Sequence, residues 1–192
     1  MAGDHPYDSV AIDGNNPNAS DVLNFNSSGG NVTVDFAAST VTEALFGPVS
    51  FSGVETLNVN AGGADLFVLG TVNDDQFNVT PDVTVATTRL VFNHTTVNAG
   101  NVDELTINGV SGDDTLTVNA TGTSNTIAVT GSYVHITAPA RQRVDYVNID
   151  ALRVTGSTGS DTFNVAPAAN TEIFIDGGDP IAVVGDTINL AA

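Results

Sequence analysis

Internal repetition sets the tightest limit on what this chain can form. Three segments carry the same succession of features: VETLNVNAGGADLFVLGTVNDDQFNV from Val54, VDELTINGVSGDDTLTVNATGTSNTIAV from Val102 and IDALRVTGSTGSDTFNVAPAANTEIFI from Ile149, with starts 48 and 47 residues apart. Each opens on an alternating strand, passes a Gly-containing turn, enters a second alternating strand behind an Asp, and reaches a third after another turn. Strands are expected at 54–59, 65–69 and 75–79, at 102–107, 114–118 and 125–129, and at 149–154, 161–165 and 172–176, one every 10 to 12 residues. A unit this small cannot bury its apolar face alone, so consecutive copies must stack.

The recurrent connections NAGGA, NGVSGD and TGSTGS are longer than two-residue hairpin turns and suit the corners of a chain that keeps winding. The expected fold class is therefore all-β, a parallel β-helix or β-roll solenoid, with an antiparallel Greek-key β-sandwich as the alternative. Stacking in that solenoid places Leu57, Leu105 and Leu152 in one inward ladder and Phe67, Leu116 and Phe163 in another. Two segments depart from the strand rhythm. FAASTVTEALF, residues 36–46, has helical spacing for a turn or two, and TAPARQRVDY, residues 137–146, reads as a protruding loop holding Arg141 and Arg143.

A longer repeat links the two ends. AIDGNNPNASDVLNF from Ala11 matches FIDGGDPIAVVGDTINL from Phe174, with Asp13-Gly14 answering Asp176-Gly177 after 163 residues. The expected organisation is an N-terminal arm at 1–10, one solenoid module at 11–174, and the start of the next copy or a C-terminal edge strand at 175–192.

Charge excludes several partners. The chain has 22 acids against 4 bases, a formal charge of −18, and its only bases are Arg89, Arg141, Arg143 and Arg153. Nucleic acid and anionic membrane surfaces are bound through Lys and Arg, so neither is expected as a partner. The longest apolar runs, such as LFVL at 66–69, are too short to span a bilayer, and the absence of Cys removes disulfides and thiolate chemistry. Catalytic constellations are missing as well. Asp74-Asp75 and Asp113-Asp114 are formal carboxylate pairs, but neighbours on a strand point to opposite faces, and no nucleophile elbow or phosphate-binding loop is present.

The turn ahead of each middle strand carries the remaining motif. GVSGDDTLT from Gly109 and GSTGSDTFN from Gly156 combine two Gly with Asp114 or Asp161 and an apolar residue two positions on; GTVNDDQFN places Asp75 likewise, and NAGGADLFV places Asp65. These turns resemble the nonapeptide of the haemolysin-type, or RTX, calcium-binding repeats. The resemblance implies Ca2+ held between coils, with Asp65, Asp75, Asp113, Asp114 and Asp161 as candidate ligands. Stacked carboxylates oppose compaction, which independently favours some cation. With the tandem period, the chain resembles modules of giant repetitive extracellular and cell-surface bacterial proteins. That resemblance implies a secreted or cell-surface, non-enzymatic structural module of a stalk or adhesin, joined head to tail to other copies of itself, as in a fibre. The alternative is a carbohydrate- or protein-binding module that uses the 137–146 loop.

Overall fold

The computed structural model describes residues 7–15, 20–82, 87–122, 124–167, 169–179 and 185–191. Within them the chain is all β. Its first group of strands is β1 (Val10–Asp13), β2 (Val22–Asn26), β3 (Val32–Asp35), β4 (Thr40–Glu43) and β5 (Val49–Ser52). The second is β6 (Thr56–Asn60), β7 (Leu66–Leu69), β8 (Gln76–Thr80), β9 (Thr88–Phe92) and β10 (Thr95–Gly100), and the third is β11 (Leu105–Asn108), β12 (Thr115–Asn119), β13 (Thr126–Thr130), β14 (Tyr133–Ala138) and β15 (Val144–Val147). The last is β16 (Ala151–Thr155), β17 (Thr162–Ala166), β18 (Glu172–Asp176) and β19 (Thr187–Leu190).

These strands wind into a parallel-stacked β-solenoid of two facing sheets. The first sheet has 11 strands in the order β1-β5-β4-β3-β7-β11-β15-β14-β13-β17-β19, and the second has 8 in the order β18-β16-β12-β8-β9-β10-β6-β2. Parallel pairing joins successive coils, as in β3-β7-β11-β15 and β8-β12-β16-β18. Between these runs sit three antiparallel meanders, β3-β4-β5, β8-β9-β10 and β13-β14-β15. The sheet orders explain them. From β1 the chain crosses to the second sheet and returns as β3, three places further along, and β4 and β5 step back to fill the two places skipped. The same move is made by β6 to β8 and by β11 to β13.

One repeat thus contains five strands and three crossings between the sheets. Three is odd, so each copy begins on the sheet opposite its predecessor: β6 and β16 lie in the second sheet and β11 in the first. This corrects the expected ladders. Leu57 is paired with Leu23 and Val97, Leu105 with Leu66 and Val144, and Leu152 with Leu116 and Ile173. Leu116 and Phe163 are fully buried but on opposite sheets, while Phe67 points outward between Thr33 and Thr106. In Leu66–Leu69 all four residues are apolar, so there is no alternation to set the phase; Leu66 and Val68 face in.

The core is one continuous layer between the sheets, filled by the inward residues of alternating strands. Residues 36–46, expected to be helical, form a turn, β4 and a second turn. The β-branched Thr-Val-Thr run suits a strand, with Val41 turned inward, and Phe36 stacks on Phe92 with ring centroids 3.9 Å apart. Glu43, also buried, takes hydrogen bonds from the Ser28 and Gly30 N–H groups (2.9 Å each) and from the Ser28 hydroxyl (2.6 Å). Burial raises its pKa, but these donors together outweigh burial and hold the carboxyl below its ordinary value. The 137–146 segment is less of a protruding loop than expected: residues 137–140 and Arg143 are exposed, but the rest packs inward. It comprises the end of β14, the connection at 139–143 and the start of β15, with Gln142, Val144, Asp145 and Tyr146 buried. At the ends, β1 already includes Val10, and β18 runs across the expected boundary at 174/175.

The two phenylalanines separate the observed phase from the expected one. Phe163→Ala should cost about 3–5 kcal/mol in chemical denaturation, whereas Phe67→Ala should cost less than about 1 kcal/mol, because its ring lies on the outer face.

Candidate functional site

The corners between the sheets hold the buried charge. A strand ends, a Gly follows, and the chain turns through a few residues to an acidic or amide residue immediately before the next strand: Gly70 to Asp75, Gly109 to Asp114 and Gly156 to Asp161. Asp75, Asp114 and Asp161 are 2%, 0% and 1% exposed, far outside the usual behaviour of aspartate. Their backbone position explains the burial. The N–H just before a strand needs a partner, and the carboxylate one coil further on supplies it.

Two ladders result. In one, the Asp75 N–H donates to Oδ1 of Asp114 (2.9 Å), and the Asp114 N–H donates to Oδ2 of Asp150 (3.0 Å). In the other, the Asn125 N–H donates to Oδ1 of Asp161 (2.5 Å), and the Asp161 N–H donates to Oδ1 of Asp186 (2.8 Å). A further rung joins the Asp21 N–H to Oε2 of Glu55 (2.7 Å). These are charge-assisted bonds, stronger than their neutral counterparts.

The glycine is part of the same device. A Cβ on Gly156 would come within 2.5 Å of Oδ2 of Asp161, one on Gly70 within 2.7 Å of Oδ2 of Asp75, and one on Gly109 would collide with both Asp114 and the Asn148 carbonyl. The carboxylate therefore lies flat against a Cα that can bear no side chain. In four corners the residue two before the turn closes it as an Asx turn: the Asn15, Gly62, Val110 and Gly178 N–H groups donate to Asp13, Asn60, Asn108 and Asp176.

The five residues expected to bind metal have different surroundings. Asp75 is saturated, its Oδ2 taken by the Thr71 N–H (2.6 Å) and hydroxyl (3.0 Å) and its Oδ1 by Asn93 (3.3 Å). Asp65 is half-buried and pairs with Asn31 across one coil. Asp113 is exposed, and its N–H donates to Asp74. Asp114 and Asp161 differ from these, because Oδ2 of each is buried without a hydrogen-bond partner. An unpaired buried oxygen of this kind is costly, and Oδ1 of Asn125 shares the condition. Among the described residues no three His, Cys, Asp or Glu side chains converge as metal ligands. A calcium ion at either corner, needing six to eight oxygens, would draw most of them from turn carbonyls and water.

Burial raises the pKa of Asp114, and the charges of Asp75, Asp150 and Asp74 add to it against the opposing bond from the Asp75 backbone. The structure contains its own comparison. Asn125 occupies the equivalent place before β13, is just as buried, and uses its amide to donate to the Gly156 carbonyl (3.0 Å) and to Asp161 (3.1 Å). The sequence signal for the whole ladder was the position one before each strand. It reached the Asp residues but missed Asn125, Glu55, Asp150 and Asp186, which lack the Gly-x-x-Gly setting.

The arginines of residues 137–146 are both engaged within the chain. Arg141 bonds Asp82 (3.0 Å), while the Gln142 side chain reaches the Asp103 carbonyl, fastening this link to neighbouring turns. Arg143 pairs with Asp145 and lies over the Tyr133 ring, 4.2 Å from its centroid. Comparison with known protein families, curated proteins and solved structures finds no match to this chain.

Asp114→Asn should raise stability at neutral pH and flatten its acid dependence. The folded chain holds the Asp114 proton to higher pH than the unfolded chain, so the stability attached to it is present below the unfolded pKa and declines as pH rises through the folded one. Denaturant melts of both proteins from pH 4 to 8 measure this, and equal pH slopes would remove Asp114 from the account.

Proposed function

We propose that this chain is a non-enzymatic structural module of a tandem-repeat extracellular or cell-surface protein, in which consecutive copies continue one solenoid. The observation that carries the reading is the relation between the two ends. The matched segments are the same unit in structure: Ile12 and Ile175 face inward, as do Leu23 and Ile188, and Phe25 and Leu190. Both units begin their crossing with an Asx turn and a Gly whose Cα lies against the Asp that opens the next strand, Gly14 against Asp21 and Gly177 against Asp186.

Yet the two units use opposite edges. Among the described residues, β1 and β2 pair only with the later strands β5 and β6, whereas β18 and β19 pair only with the earlier strands β16 and β17. If the last unit of one copy is the first unit of the next, every edge is filled. Seventeen strands, β1 to β17, then belong to each copy, and two sheets share them at a strand spacing of about 4.8 Å, giving about 40 Å of rod per copy. Calcium enters this reading as the counter-charge. Both ends are acidic, with Asp8, Asp13 and Asp21 at one and Glu172, Asp176, Asp179 and Asp186 at the other, and the chain has no Lys to offset them. The carbohydrate- or protein-binding alternative keeps less support, since Arg141 and Arg143 already have partners.

A chain of residues 1–173 followed directly by 11–192 tests the array. It should unfold in one cooperative transition at higher temperature than the single copy, and small-angle X-ray scattering should show a straight rod longer by about 40 Å. Two independent transitions with a flexible two-bead profile would overturn the reading. Calcium is tested separately on the single copy: millimolar Ca2+ against EDTA should raise the melting temperature by several degrees, and the gain should shrink in Asp161→Asn.

A further inference from the structure

We propose that separate copies join by strand exchange, with the β18–β19 unit of one chain taking the place of the β1–β2 unit of another. This rests on the array reading but asks something that reading does not require: that the acceptor site is open to a strand pair from a different chain. The occupant is specified by the molecule itself. The acceptor consists of β5 and β6, which hold β1 and β2 in parallel register, Val10 on Val49, Ile12 on Phe51, Leu23 on Leu57 and Phe25 on Val59. In an exchanged pair, Ile173, Ile175, Ile188 and Leu190 occupy these four inward places. Every one of them is apolar, as the acceptor demands.

The outer face agrees as well. On β2 the side-chain Oδ1 of Asn24 accepts from the Asn58 side-chain amide (2.7 Å), and β19 presents Asn189 at the matching place, already donating its side-chain amide to Oδ1 of Asn164 (3.0 Å). The donor is available. Ile188 and Leu190 are 58% and 69% exposed although they stand in the inward columns of β19, whose other edge pairs with no strand among the described residues. Among the described residues the acceptor's own β1–β2 is held on one edge only, and Val10 is 37% exposed. Exchange replaces one edge unit by its structural equivalent, so the acceptor keeps its contacts, and it buries the open apolar end of the donor; against this stands the release of Leu23 and Phe25 of the displaced unit.

Cysteine cross-linking in a chain that has none reads the exchange directly. Asn58 lies in the second strand from one end of its sheet and Asn189 in the last strand at the other end of the molecule, so no disulfide can join them within one chain. Exchange sets them opposite one another on adjacent strands, within the Cα separation of about 4.4–6.8 Å that a disulfide needs. Oxidation of the N58C/N189C chain at high protein concentration should give a ladder of covalent oligomers, lost when Leu190→Asp is added. The N24C/N58C chain, cross-linked within one molecule, should remain monomeric and confirms the register. To weaken the resident unit without touching the donor, Leu23→Asp should increase the ladder at least several-fold. Monomers alone from N58C/N189C, with and without Leu23→Asp and with circular dichroism still showing β structure, would overturn the exchange. A continuous rod from the two-copy chain in that same case would leave the array reading standing.

Discussion

A strand must leave one sheet and enter the other within a few residues, and every backbone N–H at that corner must find a partner away from water. The parallel ladders satisfy the strands themselves, but at several corners the N–H before the strand lies just outside them. Carboxylates at the equivalent place one coil on supply the missing acceptors there, as Asp114 does for Asp75 and Asp161 does for Asn125. Because donor and acceptor come from successive coils, these bonds fix the rise of one coil on the next. The strand-end glycines come from the same geometry, since the carboxylate occupies the space where a side chain would stand.

The same device concentrates negative charge inside a chain already at −18. Asp75 uses both its oxygens, whereas Asp114 and Asp161 each use one and keep the other buried without a partner. Where Asn replaces Asp, at Asn125, the amide nitrogen donates to both neighbours and brings no charge, although its Oδ1 is also buried without a partner. Acid is therefore not required for the corner to form. Its use at Asp114 and Asp161 leaves one buried carboxylate oxygen at each corner without a partner.

Much of the fold was legible in the residues. Strand positions were readable from alternation and from the Asp or Asn before each strand, and most expected spans fall within about two residues of those observed. The phase of the stacking was not legible, for a topological reason: the three crossings per repeat place equivalent leucines on alternate sheets, and no feature of Leu57 or Leu105 records which sheet it occupies. The meanders were partly hidden too. Their tight links, Asn93-His94 and Gly131-Ser132, are short but lack the Asn-Gly or Asp-Gly signature, and β4 is a four-residue strand between turns whose apolar residues mimic helical spacing. At the candidate site the buried aspartates were found by their place in the turn. Their unequal surroundings were not, because Thr71 and Asn93 saturate Asp75 from positions that no spacing rule connects to it.

Read along the chain alone, the residues establish that it is all β, that it is built from stacked repeats, and that Asp and Gly mark its corners, because alternation, turn chemistry and burial of an apolar face are local properties. Which strands meet is settled only in three dimensions. Folding set the fold-back meanders that fill the places skipped by each crossing, turned Phe67 outward, tied Arg141 and Arg143 to Asp82 and Asp145, and left β1–β2 and β18–β19 with opposite open edges. Those outcomes depend on the count of crossings and on contacts between residues distant in sequence, and neither is written in any single repeat.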